Sequence, residues 1–251
     1  MPFSVVVITR DAASQLEACL SSVWFADEIL VVDSGSTDQT LDIAQKLGAR
    51  IVEKEWLGFG RQKQFAVDAA ANDWVLCLDA DERVSELLKA AILAELAAPR
   101  ANACAMARCN RFLGRWLRHG EGYPDWSLRL FHRGHARWSE DAVHERVISD
   151  ESPVRLRGDL LHDSAESLDK YLEKQNRYTT LQATRLQSEG RHAGLGHLLC
   201  SPLLRFLKFY FLHLGFLDGL PGLIHISIGC MNSFNKYAKL MALAKQAGPV
   251  R

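Results

Sequence analysis

The chain alternates short, continuous apolar runs with segments whose apolar residues recur every three or four positions. Residues 3–8 (FSVVVI) are mostly β-branched, the pattern of a strand buried on both faces. Leu16, Cys19, Leu20 and Val23 follow at helical spacing. Residues 28–32 (EILVV) predict a second buried strand, which ends at the turn formers Asp33-Ser34-Gly35-Ser36. Leu41, Ala44 and Leu47 mark one face of a helix, with Gly48 as its C-terminal cap. A short third strand at 51–52, a helix at 61–71, a fourth strand at 74–78 (WVLCL) and a helix at 85–97 complete the series. Strands alternating with helices predict an α/β fold on a mainly parallel sheet flanked by helices, with ligands beyond the carboxyl ends of the strands.

Between residues 102 and 162 the pattern changes. Strand candidates at 104–109, 127–131 and 154–161 are separated by loops rich in Gly, Asp, His and aromatics, as expected of a half that completes the sheet and lines a cleft. Residues 167–189 predict a long amphipathic helix, with Leu168, Tyr171, Leu172, Tyr178 and Leu181 on its apolar side. The tail from Gly194 is rich in Leu, Phe and Gly. Its longest uncharged stretch, 219–235, contains Pro221, His225, Asn232 and three glycines and is a poor membrane span. Arg205, Lys208, Lys236 and Lys239 punctuate the apolar segments, which suits helices lying in a membrane interface with cations toward anionic lipid. Packing on the catalytic domain, or on a second subunit in a homo-oligomer, is the alternative cover. Three segments result: 1–100, 101–165 and a helical appendage at 166–251.

Composition narrows the function classes. Thirty Lys and Arg balance thirty Asp and Glu, so the basic excess usual in a nucleic-acid binder is missing. The six cysteines form no C-x-x-C pair and no zinc-ligand spacing, which points to a reducing, cytoplasmic compartment. The amino terminus, MPFSVVVITRDA, reads as a first strand rather than a signal peptide.

Three motifs carry chemistry. In Leu76-Cys77-Leu78-Asp79-Ala80-Asp81-Glu82 a buried strand delivers carboxylates at its end. Asp79 and Asp81 can share a hard Mg²⁺ or Mn²⁺ that keeps positions open for substrate phosphates; a solvated acidic turn is the plainer explanation. In Val31-Val32-Asp33-Ser34-Gly35-Ser36-Thr37-Asp38, Asp33 can accept a base N–H or a ribose hydroxyl, while Ser36, Thr37 or Asp38 caps the next helix. In Gly58-Phe59-Gly60-Arg61-Gln62-Lys63, glycines and cations at a helix start suit an anionic group, with a solvated helix face as the alternative.

These motifs, all within the first 82 residues, resemble those of the family 2 glycosyltransferases with a GT-A fold. The matching segments are SVVVITRDAASQLEACLSSV, EILVVDSGSTDQT and GRQKQFAVDAAANDWVLCLDADE. The closest subgroup resembles the lipopolysaccharide-core glucosyltransferases of Gram-negative bacteria, a likeness that extends to WSEDAVHERV, LLHDSAESLDKYLEKQNRYTTLQA and GFLDGLPGL. The resemblance implies an inverting transfer of a hexose, glucose first, from a nucleotide-diphosphate sugar such as UDP-glucose to a lipid-linked saccharide at the cytoplasmic face of the inner membrane. It implies that Thr9 and Arg10 close the first strand at the nucleotide, that Asp33 meets the base, and that Lys63 and Arg61 lie near the nucleotide. Asp79 would meet the ribose or metal, and Asp81 would hold the metal. Thr-Arg-Asp stands where many members have Tyr-Asn-Glu. Glu145, in Val-His-Glu, is the first choice of general base and Asp141 the second; His144 would orient that base or contact phosphate. Arg129, on a strand, would face the diphosphate, and His162 would be a third metal ligand, since some GT-A enzymes use a histidine from this half. Tyr123, Pro124, Asp125 and Trp126 form an aromatic loop suited to stacking on sugar. Two other classes compete: a haloacid-dehalogenase-like phosphohydrolase with Asp79 as nucleophile, and a non-catalytic nucleotide-sugar-binding protein.

Overall fold

The computed structural model describes residues 1–139, 145–164 and 167–246. It divides into two compact units, Met1–Cys109 with Pro124–Asp163, and Asn110–Tyr123 with Ser164–Arg251.

The first unit is built on a mixed sheet. Its parallel part comprises β1 (Phe3–Thr9), β2 (Glu28–Asp33), β3 (Arg50–Glu53) and β4 (Trp74–Asp79), in the order β3-β2-β1-β4. The sheet continues through β8 (Asp125–His132), β6 (Ala103–Phe112), β11 (Val154–His162) and β5 (Glu82–Val84). Here the pairings of β4 with β8, β8 with β6, and β11 with β5 are antiparallel. Along β1 the side chains alternate between two cores. Val5 and Val7 pack with α1 (Ala13–Ser21), α2 (Thr40–Lys46) and α4 (Glu86–Ala97), whereas Val6 faces α3 (Phe59–Ala69) and Trp138. With both faces covered, an unbroken apolar run is the expected strand signature.

The strand register positions the acidic residues. Thr9 pairs with Asp33 and Ile8 with Asp79, so β2 and β4 present their last carboxylates on either side of the end of β1. The chain leaves β1 toward β2 and β3, then crosses back to β4. Strand direction therefore reverses its spread beside β1, which is where open α/β sheets bind ligands.

The helix after β2 starts at Thr40 with Gln39 at its cap; of Ser36, Thr37 and Asp38, the expected capping residues, it is Asp38 that accepts the Thr40 N–H, at 3.0 Å. Its C-terminal end is as expected. Gly48 takes φ 76°, its N–H bonds the Gln45 carbonyl, and the Ala49 N–H bonds the Ala44 carbonyl, a Schellman closure. Between the acidic end of β4 and the helix at 85–97 the sequence predicts no element. The chain turns at Ala80 and Asp81 and returns as β5, whose Glu82 pairs with His162 of β11.

The second unit is helical. It contains α5 (Leu168–Ser188), α6 (Leu195–Phe206), a π-helical segment (Leu207–Leu212), a 3₁₀ turn (Gly215–Asp218) and the 28-residue α7 (Gly219–Gln246). The distal end of β6 pairs there with β7 (Arg115–Trp116). Helix α7 packs against α5 and α6. Polar side chains lace the helices together: Asn232 donates to Gln175 at 2.7 Å, and the Lys239 ammonium bonds Asn176, Thr179 and Thr180. The 110–123 hairpin is held by a buried Asp218, which accepts the His119 N–H, and by the Glu121–Arg205 pair. Gly229 makes room for that pair, since a Cβ there would lie 2.3 Å from Glu121 Oε2. Along Leu195–Leu212 runs an 18-residue stretch of mean hydropathy 1.2, long and apolar enough to cross a membrane by length and composition, and none of it is buried.

Gly158 of β11 marks a tight backbone approach in the first unit. Its φ is +95° and a Cβ would lie 2.3 Å from the Leu88 nitrogen, beneath the start of α4 that Ser85 caps. Gly158→Ala should cost about 2–4 kcal/mol. A melting curve should show a Tm roughly 5–10 °C lower; an unchanged Tm would refute this account of the strand–helix contact.

Candidate active site

Hydrogen bonds tie the loops after β1 and β2 into one rim. Asp33 is only 1% exposed and its carboxylate accepts four hydrogen bonds: from the Thr9 hydroxyl at 2.7 Å, the Ser36 hydroxyl at 2.5 Å, and the Gly35 and Ser36 N–H groups. Burial alone would raise its pKa, but the bonds from Ser36, Thr9 and Gly35 outweigh this and hold it below its ordinary value. Asp11, at φ 49°, accepts the Thr37 N–H at 2.8 Å, and its own N–H bonds the Ser36 hydroxyl. The Ala12 and Ala13 N–H groups are taken by Thr40 and Asp38.

Beside this rim lies a chain of buried charges. Glu82 is fully buried; it accepts the Asp79 N–H at 3.0 Å and pairs with Arg129 Nη2 at 2.7 Å. The same Arg129 nitrogen reaches Asp79 Oδ2 at 2.9 Å. The other Asp79 oxygen pairs with Lys63 Nζ at 2.9 Å, and Lys63 continues to Glu145 Oε1 at 3.4 Å. Lys63 and Arg129 are both buried and both lie over the Trp138 ring, at 4.7 and 5.6 Å from its centroid. The electron-rich indole face thus accommodates two cations that would otherwise repel. Burial pushes the Asp79 carboxyl up, but the charges of Arg129 and then Lys63 prevail and keep it well below the usual carboxylate range. Cys77, beneath Trp138, is pushed up to about 12 by burial and is inert as a nucleophile.

A cleft of about 680 Å³ opens above these groups, lined among others by Thr9, Arg10, Lys63, Asp79, Asp81, Glu145 and His162. Asp81 Oδ2 and His162 Nε2 face each other at 3.2 Å. Seven of the residues singled out in the sequence therefore converge. Asp33 does not line the cleft itself; it holds Thr9, which does. Arg129 lines a neighbouring cavity of about 390 Å³, which shares Lys63, Asp79 and Glu145 with the cleft. Arg61 does not join them. It is two residues before Lys63 on α3, about 200° around the helix, and lines a separate pocket with Gln64 and Asp68. Asp141 and His144 lie outside the described residues.

Sequence reasoning missed two contributors. Trp56 and Phe59, in edge-to-face contact at 4.8 Å, are exposed and line the cleft; a tryptophan beside Gly-Phe-Gly in a polar loop was the available signal. Gly60 also allows a close packing contact: a Cβ on it would lie 2.3 Å from the Ser139 carbonyl oxygen, so it lets α3 approach Ser139.

A divalent cation fits this donor set in part. Asp81 and His162 offer an oxygen and an imidazole into the cleft, suitable for Mg²⁺ or Mn²⁺ completed by substrate oxygens. Both oxygens of Asp79 are already held by cations, and no group of three ligating side chains converges among the described residues.

Sequence comparison places these features among known proteins. The profile described as "Glycosyl transferase family 2" matches residues 4–149. The lipopolysaccharide core biosynthesis glycosyltransferase LpsC of Rhizobium meliloti is 30% identical over 96% of this chain and 92% of its own. A glycosyltransferase of Rickettsia bellii whose function is uncharacterized is 29% identical over 98% of this chain and 88% of its own. The crystal structure of S. aureus TarS 1-349 aligns over all of this chain and 93% of that one, at 17% identity and a TM-score of 0.47.

Asp33 and Asp79 both titrate below their unfolded values of about 3.9. The native state then binds fewer protons than the unfolded chain, so their stabilisation is complete above about pH 4 and is lost as pH falls toward the folded pKa values. The urea midpoint should decline steadily below about pH 4. Asp79→Asn should start less stable and decline less steeply; parallel slopes would remove Asp79 from the acid-sensitive groups.

Proposed function

The chain belongs to glycosyl transferase family 2, and we propose that it moves a hexose, glucose being the first candidate, from a UDP-sugar to a lipopolysaccharide-core or other lipid-linked saccharide. The observation that carries this reading is the chain Asp79–Lys63–Glu145 at the floor of a cleft that Asp81 and His162 also line. It combines fixed cations for a diphosphate with a carboxylate for a hydroxyl. Family membership displaces the phosphohydrolase alternative. Asp79 is also unsuited to nucleophilic attack, because Lys63 and Arg129 hold both its oxygens.

In the proposed reaction the acceptor hydroxyl gives its proton to Glu145. Its oxygen forms a bond to the anomeric carbon, the bond from that carbon to the diphosphate oxygen breaks, and the configuration inverts. The nucleoside diphosphate leaves with the electron pair. Lys63 stands where negative charge grows on the leaving group and also orients Glu145, an arrangement fixed before substrate arrives. A divalent cation, held by Asp81 and His162 when bound, would supply further charge stabilisation. Thr9 and Arg10 would contact the nucleoside, with Asp33 acting by holding Thr9 in place. Trp56 and Phe59 offer the cleft an aromatic wall.

The helical unit supports work at a membrane surface, on the cytoplasmic face in this reading. Leu199 and Leu203, one turn apart on α6, are 65% and 59% exposed within the apolar Leu195–Leu212 stretch, with Lys208 and Lys236 nearby in sequence or on α7. A second copy of the chain is the alternative cover.

Thermal stabilisation by UDP in the presence of Mn²⁺, and product formation from a single nucleotide sugar, would support the donor assignment. Glu145→Gln should lower kcat about a hundredfold to ten-thousandfold with little change in donor KM. Asp81→Ala should lose the metal dependence of UDP binding. Full activity of both variants would overturn these roles. Wild-type protein should co-sediment with vesicles containing anionic lipid, and Leu199→Glu with Leu203→Glu should release it. If neither vesicle binding nor its loss is seen, while the protein is dimeric, the second-copy cover is correct.

A further inference from the structure

The cavity next to the cleft has chemistry that the donor assignment leaves unused. Its wall toward the cleft is shared: Lys63, Asp79 and Glu145 line both spaces. A molecule seated in it would therefore meet a sugar in the cleft at Glu145. Its remaining walls come from β6, β8 and the segment entering β10 (Val147–Ser149), and they include Arg108, Asp125, Trp126 and Arg146.

Four cationic side chains and three carboxylates line it. Each of the three carboxylates already has a cation: Asp79 has Lys63 and Arg129, Glu145 has Lys63, and Asp125 has Arg108 at 2.8 Å. Arg146 is exposed and forms no ion pair among the described residues. Arg129 also lines the cavity and is 6% exposed; its Nε, the one buried side-chain polar atom without a hydrogen-bond partner among the described residues, is enclosed and offers a ligand no contact. Trp126 adds an apolar surface: it is 38% exposed, and the Arg155 guanidinium lies 4.7 Å from its ring centroid. Indole faces suit the C–H faces of sugar rings.

Resting on the glycosyltransferase reading above, we propose that this cavity is the acceptor subsite and that it selects a saccharide bearing an anionic group, phosphate or carboxylate, through Arg146. Arg146 is a specificity residue. It reads charge on the acceptor, and Glu145, its neighbour in sequence, takes the proton. A guanidinium forms paired, charge-assisted bonds to either anion, and a neutral sugar leaves it with water alone.

The test uses three probes with one carbon skeleton: glucose, glucose 6-phosphate and glucuronate. Their dissociation constants are measured by ligand-observed NMR on the full chain, with and without saturating UDP and Mn²⁺. At least one anionic probe should bind about tenfold more tightly than glucose to the UDP-loaded protein. A preference for the phosphate probe alone identifies phosphate as the group read, and a preference for glucuronate alone identifies carboxylate. Arg146→Ala should erase the preference, Arg146→Lys should retain part of it, and UDP affinity should be the same in all three proteins. Equal binding of the three probes, or a preference that survives Arg146→Ala, would overturn the proposal. Failure of wild-type protein to bind UDP would overturn the donor assignment instead; the Arg146 comparison on UDP-free protein would still decide the cavity.

Discussion

The site depends on keeping opposite charges paired where water is scarce. A fully buried Glu82 needs a cation, and Arg129 of β8 supplies it. That guanidinium then holds Asp79 at the end of β4, which leaves Lys63 of α3 to balance the other Asp79 oxygen and to reach Glu145. Removing Arg129 would leave the fully buried Glu82 with only Arg108, 3.9 Å away, which costs far more than the intact pair contributes. The network therefore works mainly as a positional device. It fixes a parallel strand, an antiparallel strand and a helix to one another through side chains that also form the cleft floor.

A related economy appears at the rim. The sequence assigns Asp33 to the nucleotide base and Asp38 to a helix cap; in the structure both, with Asp11, lock loops. Asp33, Asp11 and Asp38 together accept N–H groups from the β1–α1 and β2–α2 connections, where backbone donors would otherwise be unpaired. With the loops held in this way, Thr9 and Arg10 are presented to the cleft without needing to order on binding. The substrate then does not bear the entropic cost of arranging its own site.

The helical unit solves a different problem. Its apolar stretch from Leu195 to Leu212 is unburied, yet its interior is bound by specific polar contacts, including Lys239 on three α5 residues and the Glu121–Arg205 pair. Two of the four cations that sequence alone assigns to a lipid-facing role, Arg205 and Lys239, are thus spent inside the unit. Lys208 and Lys236, each over the aromatic ring of the next residue, are the two that remain. Fewer charges are available for lipid than a count along the tail suggests.

Local signals were enough for the parallel half of the fold. The uninterrupted runs at β1, β2 and β4, the helical spacing between them, and Gly48 at a helix end each depend on neighbours a few residues away, so they are written in the sequence. The same holds for Asp79 and Asp81, which any buried strand would deliver at its end. What the sequence could not settle is which partner each charge meets. Lys63 and Arg61 are equivalent in a string of letters, and only the rotation of α3 against the sheet turns one inward. Asp33 and Asp79 end similar strands, but one is closed over by its own turn while the other faces two cations from α3 and β8. Glu82 reads as the third member of an acidic turn and becomes the buried anchor, because β5 folds back against β11. These outcomes rest on contacts between residues 16 to 82 positions apart, and pairing energy at that range exists only once the sheet has formed.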